Sequence, residues 1–363
     1  MLLSPTLSWL VDAASETPSA DRFLAELGAR LVEDGLPLAG GALTLAVPHP
    51  LIACRTWLWR ADSGAVIEAL GFMPGASTAF AASPSDGAGR RWLAGIASGL
   101  AHEDIVGVSP GGPLLSWIGP RPFTQGEADK LREAARFAAA PLAALAARAT
   151  LTAALEAYLG RRSAARVLAG PLRRDVGETI QAALLFADLR DFTELSENHP
   201  PPEVISALGA WFDRIAGAVH AFGGEVLKFI GDGVLAIFPV FGEKSRDACE
   251  AALRAASAAR VGMAHLDKER VRYGLPPLPF GAALHVGEIL WGNIGAADRL
   301  DFTAIGPAVN LVSRLEGLCR PLKQTVVVSG ALAAETETPL IPLGPHALRG
   351  IASPCEVFAL PEN

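Results

Sequence analysis

The spacing of hydrophobic and polar residues divides the chain into two parts, and the change falls between residues 125 and 180. In residues 1–123, segments with helical spacing of apolar residues alternate with short apolar runs typical of strands. We predict helices near 6–14, 20–34 and 91–101, strands at 42–47, 54–60, 104–108 and 114–118, and a Gly, Ser and Pro-rich interval at 74–90. This pattern indicates a small mixed α/β domain.

Residues 124–177 are predicted to form a helical linker. Thr124 and Glu127 have the spacing of a capping box, and Pro141 should kink or restart the helix that they begin. Beyond the proline, residues recur at alternating spacings of three and four: Leu142, Leu145, Ala149, Thr152, Glu156 and Leu159. This seam fits a helix that pairs with its copy in a second subunit and, equally, a helix packed on its own domain. The basic stretch 160–178 is interpreted as a solvated linker.

Residues 178–363 predict an α+β domain with the order strand, helix, strand, strand, helix, strand. This is the order of a ferredoxin-like βαββαβ core, here with additions after it. The strands are predicted at 182–187, 225–230, 233–238, 280–286, 288–295, 324–329 and 354–359, and the helices at 202–221, 245–270 and 307–319.

Composition excludes several classes of protein. Half of the 363 residues are hydrophobic and 19% are charged, so the chain is expected to fold rather than to be disordered. The net charge of -7 argues against a surface that binds nucleic acid. Four widely separated cysteines, the absence of a secretory signal and the charges within the alanine-rich stretch 133–159 predict a soluble cytoplasmic protein with no membrane segment.

Asp188 and Asp232 form the first candidate site. Asp188 ends an apolar strand, and Asp232 lies in a hairpin turn beside glycines that tolerate positive φ. In a βαββ unit these two positions lie at the same sheet edge, so the carboxylates can converge on a pair of divalent cations suited to displacement at phosphorus. Each aspartate alone fits an ordinary turn, and their combination in this topology favours a site.

Asn310 and Arg314 lie four residues apart in a helix whose start is marked by Gly306 and Pro307, and therefore project from one helix face. Such a pair can hydrogen-bond a ribose and neutralise charge that develops on a transferring phosphate. A solvated helix face, or a contact between Arg314 and Glu316, is the alternative interpretation.

Three single basic residues complete the candidates: Lys228, Arg299 and Arg349. Alternation along the strand places Lys228 on the same face as Val226 and Ile230. A lysine in an apolar strand either reaches solvent at the sheet edge or donates a hydrogen bond to a base.

Four segments, 186–193, 223–239, 285–295 and 300–318, closely resemble the catalytic domain of class III nucleotide cyclases over about residues 178–360. The resemblance implies a head-to-tail homodimer with two active sites at the interface. Each site would convert ATP to 3′,5′-cyclic AMP and pyrophosphate with two Mg²⁺ or Mn²⁺ ions.

The resemblance also implies a role for each site residue. Asp188, Asp232 and the Leu189 carbonyl would hold the metals, while the backbone of Phe192 and Thr193 would hold the phosphates. From the other subunit, Lys228 and Thr303 would select adenine, Asn310 and Arg314 would stabilise the transition state, and Arg349 and Arg299 would contact phosphate.

Two positions depart from the family pattern. Thr303 stands where many members have Asp. The Thr variant is found in a bacterial subgroup that includes bicarbonate-responsive cyclases, and Thr still offers one hydrogen bond to adenine. Asp191 stands where the family often has Gly. It is either a third carboxylate near the metals or a solvated turn residue.

Residues 1–123 resemble the GAF-like or, second, PAS-like sensory domains that precede such cyclases, and they would regulate the dimer through an unknown small ligand. His49 and His102 lack a spaced partner, which favours ordinary surface or core histidines over metal or haem ligands. Alternatives are a guanylate cyclase, which Lys228 disfavours, and a catalytically silent nucleotide-binding dimer. A diguanylate cyclase does not explain Asn310 and Arg314.

Overall fold

The computed structural model describes residues 3–46, 52–72, 88–107, 112–170, 173–174, 176–242 and 245–361. The chain separates into two compact units, Met1–Ala154 and Leu155–Asn363. His49, most of the interval 74–90, and the last residues of the predicted strands 42–47 and 104–108 lie outside the described residues.

The first unit contains a five-stranded antiparallel sheet covered by helices on both faces. Its elements are α1 (Pro5–Asp12), α2 (Ala20–Glu33), β1 (Gly40–Ala46), β2 (Ile52–Arg60), β3 (Val66–Phe72), α3 (Ala88–Ala94), β4 (His102–Ile105) and β5 (Leu114–Ile118), and the strand order is β3-β2-β1-β5-β4. Alternate residues of β1 face opposite cores, because Leu43 packs with the leucines of α2 whereas Ala42 packs with Leu93 of α3. The predicted mixed α/β domain is therefore present, and its GAF-like or PAS-like character stays a prediction.

Three helices follow: α4 (Gln125–Phe137), α5 (Ala139–Leu159) and α6 (Arg161–Ala169). The predicted capping box is present, since the Glu127 backbone N–H donates to Thr124 Oγ1 (3.4 Å) and the Thr124 N–H donates to Glu127 Oε2 (2.8 Å). The helix restarts at α5, whose first turn contains Pro141. Proline is tolerated there because a first-turn N–H has no helical acceptor.

Helix α5 is the one helix in the described part of the chain with the length and apolar composition of a possible membrane span. Its first half contains the buried residues Pro141, Leu142 and Leu145. A single helix that meets this test is weak evidence, and a membrane segment is not supported.

The interpretation of residues 160–178 as a solvated linker is wrong for helix α6. Ser163 and Ala164 are buried, and the Glu225 carboxylate accepts hydrogen bonds from the Ser163 backbone N–H (2.9 Å) and hydroxyl (2.6 Å). The Arg166 guanidinium lies 4.3 Å from the centre of the Trp291 ring. The basic residues thus belong to an amphipathic helix whose other face packs on the second unit's own core.

The second unit is built on a mixed sheet. Its remaining elements are β6 (Val176–Leu189), α7 (Phe192–Asn198), α8 (Pro201–Ala221), β7 (Glu225–Ile230), β8 (Gly233–Pro239), α9 (Arg246–Arg272), β9 (Phe280–Gly295), β10 (Leu300–Ile305), α10 (Pro307–Glu316), β11 (Val326–Ser329), α11 (Gly330–Ala333), β12 (Ile341–His346) and β13 (Cys355–Ala359). The strand order is β12-β13-β11-β9-β6-β8-β7, and β10 pairs with β9. The four strands at one end of this order, β9-β6-β8-β7, are antiparallel neighbours in the order of a βαββαβ core.

The two faces of this sheet have separate cores. Helices α8 and α9 cover the face that presents Leu185 and Ala236, whereas α10 covers the face that presents Leu184 and Leu235. The candidate site forms at the edge of the α10 face.

The strand predictions for the second unit need correction. The runs 280–286 and 288–295 form one strand, β9, because the long strand β6 pairs with it from Val176 to Leu189 and holds Gly287 in the ladder. Strand β10 was not predicted, and it carries Thr303.

Candidate active site

Asp188 and Asp232 meet at one end of the sheet, as the sequence predicts. Asp188 is the next-to-last residue of β6, and Asp232 lies in the turn between β7 and β8. Gly231 has a φ of 65°, which suits glycine and makes the tight turn possible. The Trp211 indole N–H donates to the Asp232 carbonyl (2.8 Å), so α8 holds the turn in place.

Burial and the neighbouring Asp232 both oppose ionisation of Asp188. Burial, followed by the negative charge and hydrogen bond of Asp232, raises the pKa of Asp188 from 3.8 to about 7. Two neighbouring carboxylates need a proton or a cation between them, and hard divalent cations prefer oxygen ligands. The donor chemistry therefore fits Mg²⁺ or Mn²⁺, although the described residues contain no group of three or more His, Cys, Asp or Glu side chains arranged to hold a metal.

Glu316 is a third carboxylate near this pair, and the sequence analysis did not place it there. It ends helix α10, and its negative charge contributes to the raised pKa of Asp188. Burial raises the pKa of Glu316 itself, the positive charge of Arg190 lowers it, and the negative charge of Asp232 raises it further. The expected alternative contact between Arg314 and Glu316 is not among the ion pairs of the described residues.

The residues after Asp188 form the turn into α7. Leu189 ends β6, and the backbone N–H of Arg190 donates to the Pro279 carbonyl (2.8 Å). Asp191 has a φ of 57°, a conformation that Asp tolerates better than most residues. Its carboxylate lies 3.1 Å from the Arg320 guanidinium and is half exposed, so it is an ion-paired turn residue. Phe192 and Thr193 form the first turn of α7.

The prediction that Lys228 shares a face with Val226 was wrong, because β7 contains a bulge, whereas Lys228 and Ile230 do share a face as predicted. Val226 lies opposite Ala236, but Lys228 lies opposite Leu235, so the extra residue between them turns Lys228 onto the α10 face. There the Lys228 ammonium forms an ion pair with Asp301 of β10. Thr303 is buried two residues further along the same strand, and therefore shares the face of Asp301.

The other candidates are exposed. Asn310 and Arg314 project from one face of α10, as predicted. Arg299 lies in the turn before β10, and Arg349 lies in the turn after β12. The structure thus brings Asp188 together with Asp232, and Lys228 close to the strand of Thr303. It shows no contact between the four exposed residues and the two aspartates within the described ranges.

Sequence reasoning missed Asp301 and Glu316. Asp301 follows a turn in an unpredicted strand, and only the bulge in β7 reveals Lys228 as its partner. Glu316 looks like a solvated helix residue until helix α10 is docked on the sheet. A possible signal was Gly281, which leaves room opposite Asp188.

Residues 176–350 match the family model of the adenylate and guanylate cyclase catalytic domain. Adenylate cyclase 1 of Rhizobium meliloti (strain 1021) is 32% identical over 180 residues, which are 49% of this chain and 27% of that protein. An adenylate cyclase of Anabaena cylindrica is 30% identical over 165 residues, 44% of this chain and 32% of that protein. A solved structure of a bacterial light-regulated adenylyl cyclase aligns with a TM-score of 0.53 at 20% identity, and covers 72% of this chain and 85% of that chain.

These similarities support a class III adenylate/guanylate cyclase catalytic domain in the second unit, and the structural likeness shows its fold. The chain spans less than a third of the length of each of the two relatives.

Proposed function

We propose that the cyclase catalytic domain of residues 176–350 makes this chain an adenylate cyclase, which converts ATP to 3′,5′-cyclic AMP and pyrophosphate. One observation carries the proposal: the region that matches the cyclase family places Asp188 and Asp232 together at the sheet edge, with Asp188 held near a pKa of 7. Such a pair fits cations that assist displacement at phosphorus.

Asp188, Asp232 and the Leu189 carbonyl would hold two Mg²⁺ or Mn²⁺ ions. When bound, these ions supply charge neutralisation for the attacking ribose oxygen and for the leaving pyrophosphate. Neighbouring residues hold the two aspartates in place. Trp211 donates a hydrogen bond to the carbonyl of Asp232, and the β6–β9 ladder fixes the position of Asp188. The backbone at Phe192 and Thr193 would orient the phosphates.

Lys228 and Thr303 would select the base. The ammonium of Lys228 donates hydrogen bonds and adenine N1 accepts one, which supports ATP over GTP as the substrate. The exposed positions of Asn310 and Arg314 support a role for them in a site completed by a second chain. There, Arg314 would stabilise charge that grows on the α-phosphate, while Arg299 and Arg349 would bind the remaining phosphates.

The active form would be a homodimer, because one chain presents its acidic residues and its exposed helix α10 residues separately. The first unit would be a GAF-like sensory domain that regulates the dimer, with α4, α5 and α6 between. Its antiparallel sheet flanked by helices supports this assignment. We place the protein in the cytoplasm on the basis of its composition.

The test is product analysis after incubation of the purified full chain with ATP or GTP and Mg²⁺ or Mn²⁺. We expect cyclic AMP from ATP, much less cyclic GMP from GTP, and a loss of at least about a hundredfold in Asp188→Ala and Arg314→Ala. Glu356→Gln, an exposed change on β13, serves as the control with unchanged activity. Absence of a cyclic nucleotide with either cation, or full activity of Asp188→Ala, would contradict the proposal.

A further inference from the structure

Glu316 has no role in the proposed reaction, yet it packs against the strand pair that carries Asp188. It lies at the end of α10, two residues after Arg314, and is partly buried. A glutamate on a solvated helix face would not be packed in this way against the sheet.

A missing side chain in β9 makes room for Glu316. Gly281 lies directly opposite Asp188 in the β6–β9 ladder. A Cβ at Gly281 would lie only 2.2 Å from Glu316 Oε1, so the Glu316 carboxylate occupies the space of that absent side chain. Directly opposite residues of an antiparallel pair have Cβ atoms about 5 Å apart on one face. Glu316 is therefore an immediate neighbour of Asp188 on the α10 face of the sheet.

Arg190 lies beside the same glycine. A Cβ at Gly281 would lie 3.0 Å from Arg190 Nη2, so the Arg190 guanidinium and the Glu316 carboxylate both border the space left by the absent side chain. The guanidinium also donates to the Phe280 carbonyl (3.2 Å) and the Gln324 carbonyl (3.1 Å). These backbone contacts hold Arg190 in place beside Gly281, close to Glu316.

We propose that Glu316 is a positioning residue of the cation site, a third carboxylate that raises the affinity of Asp188 and Asp232 for divalent cations without being a ligand itself. This inference rests on the cation site of the proposed function. A negative charge next to two carboxylates costs energy while no cation is bound, and stabilises a divalent cation once it is bound. If residue 316 only filled space, an apolar side chain there would be sufficient. Residue 281 could then also carry a side chain.

The experiment measures Mn²⁺ binding to the full chain without nucleotide, by electron paramagnetic resonance of free Mn²⁺. Two variants, Glu316→Gln and Glu316→Met, remove the charge but keep the length of the side chain, and a third, Glu316→Asp, keeps the charge. Glu356→Gln makes the same chemical change on exposed β13, and β11 and β9 separate that strand from β6. Thermal unfolding confirms that each variant folds.

We expect the dissociation constant for Mn²⁺ to rise about tenfold in Glu316→Gln and Glu316→Met, and to stay within about twofold of wild type in Glu316→Asp and Glu356→Gln. One folded variant, Glu316→Gln or Glu316→Met, is sufficient for the test. An unchanged dissociation constant for Mn²⁺ in either of them overturns the proposal.

The two proposals fail in different ways. A wild-type chain that binds Mn²⁺ in a Glu316-dependent manner but forms no cyclic nucleotide would refute the adenylate cyclase and leave the role of Glu316 intact. A chain that forms cyclic AMP, but whose Mn²⁺ affinity does not depend on Glu316, would support the adenylate cyclase and refute the role of Glu316. A wild-type chain that binds no Mn²⁺ would overturn the role of Glu316 together with the cation site.

Discussion

At the scale of single residues, Asp188 is a case in which function opposes stability. Its pKa of about 7 in the folded chain lies above its ordinary value of 3.8, so the folded form binds the proton more tightly than the unfolded form does. The resulting stabilisation is complete at acid pH and is lost as the pH rises through 7.

We therefore expect Asp188→Asn, without divalent cations, to be more stable than wild type at pH 8 while its activity is lost. The gain should be about 2 kcal/mol, roughly half of what the full pKa shift would give, because the partly exposed carboxylate is screened by solvent. The difference should nearly vanish at pH 4, where the wild-type carboxyl is protonated. Thermal unfolding in EDTA at both pH values measures it. A variant that is less stable than wild type at pH 8 would contradict the electrostatic account.

Asp301 provides a second residue-scale prediction. Its ion pair fixes the Lys228 ammonium at one position, whereas a free lysine can reach either N1 of adenine or O6 of guanine. Asp301→Asn should lower kcat/KM for ATP about tenfold and narrow the preference for ATP over GTP. Steady-state kinetics with both nucleotides test this, with Asp298→Asn in the preceding exposed turn as the control. An unchanged nucleotide preference in a folded Asp301→Asn would show that the pair is only structural.

The sequence predicted site residues where local structure determines the position. Asp188 follows an apolar run and Asp232 follows a glycine in a hairpin, so both are readable from their neighbours. Lys228 was assigned the wrong face because one extra residue in β7 reverses the alternation, and a bulge has no clear sequence signal here. Glu316 and Asp301 depend on contacts between distant segments, which spacing alone does not reveal.

At the scale of elements, helix α6 shows how a connecting segment is joined to the catalytic unit. The buried Glu225 carboxylate lies at the N-terminus of α6, where unpaired backbone N–H groups attract a negative charge. Glu225 is also the first residue of β7, the strand that carries Lys228. The position of α6 is thus linked directly to a strand of the candidate site.

A substitution at Gly160 tests the contact between Glu225 and the N-terminus of α6. Gly160 has a φ of 81°, and a Cβ there would lie 3.0 Å from Glu225 Oε1. Gly160→Ala should lower the free energy of unfolding by about 1–2 kcal/mol, because it combines backbone strain with displacement of the carboxylate. Chemical denaturation measures the loss, and Gly126→Ala, where a Cβ meets nothing within 4 Å, is the matched control. If Gly160→Ala and Gly126→Ala changed the free energy of unfolding equally, the backbone and the Glu225 carboxylate would not require glycine at position 160.

Element prediction succeeded where the local signals were strong and failed where pairing overrode them. The capping box at Thr124 and the hairpin around Asp232 matched the structure because each depends on adjacent residues. Gly287 suggested a break between two strands, but pairing with β6 keeps β9 continuous. The basic residues of α6 suggested solvent on all sides, although the helix buries Ser163.

At the scale of the whole molecule, the βαββαβ order was readable from the sequence because hydrophobic periodicity changes clearly between strands and helices. The family of the first unit could not be predicted from the sequence, because many small domains share an antiparallel sheet with flanking helices. The cyclase account also requires two chains, because Asn310 and Arg314 are exposed and, among the described residues of one chain, make no contact with the acidic pair.

Complementation between two inactive chains tests this central claim most directly. Asp188→Ala and Arg314→Ala chains with different tags are co-expressed, and the mixed dimer is purified through both tags. The mixed dimer contains one complete site out of two, so the account predicts about half of the wild-type rate of cyclic AMP formation per dimer, with each variant alone inactive. A purified mixed dimer that forms no cyclic AMP while the wild-type dimer does would contradict active sites shared between two chains.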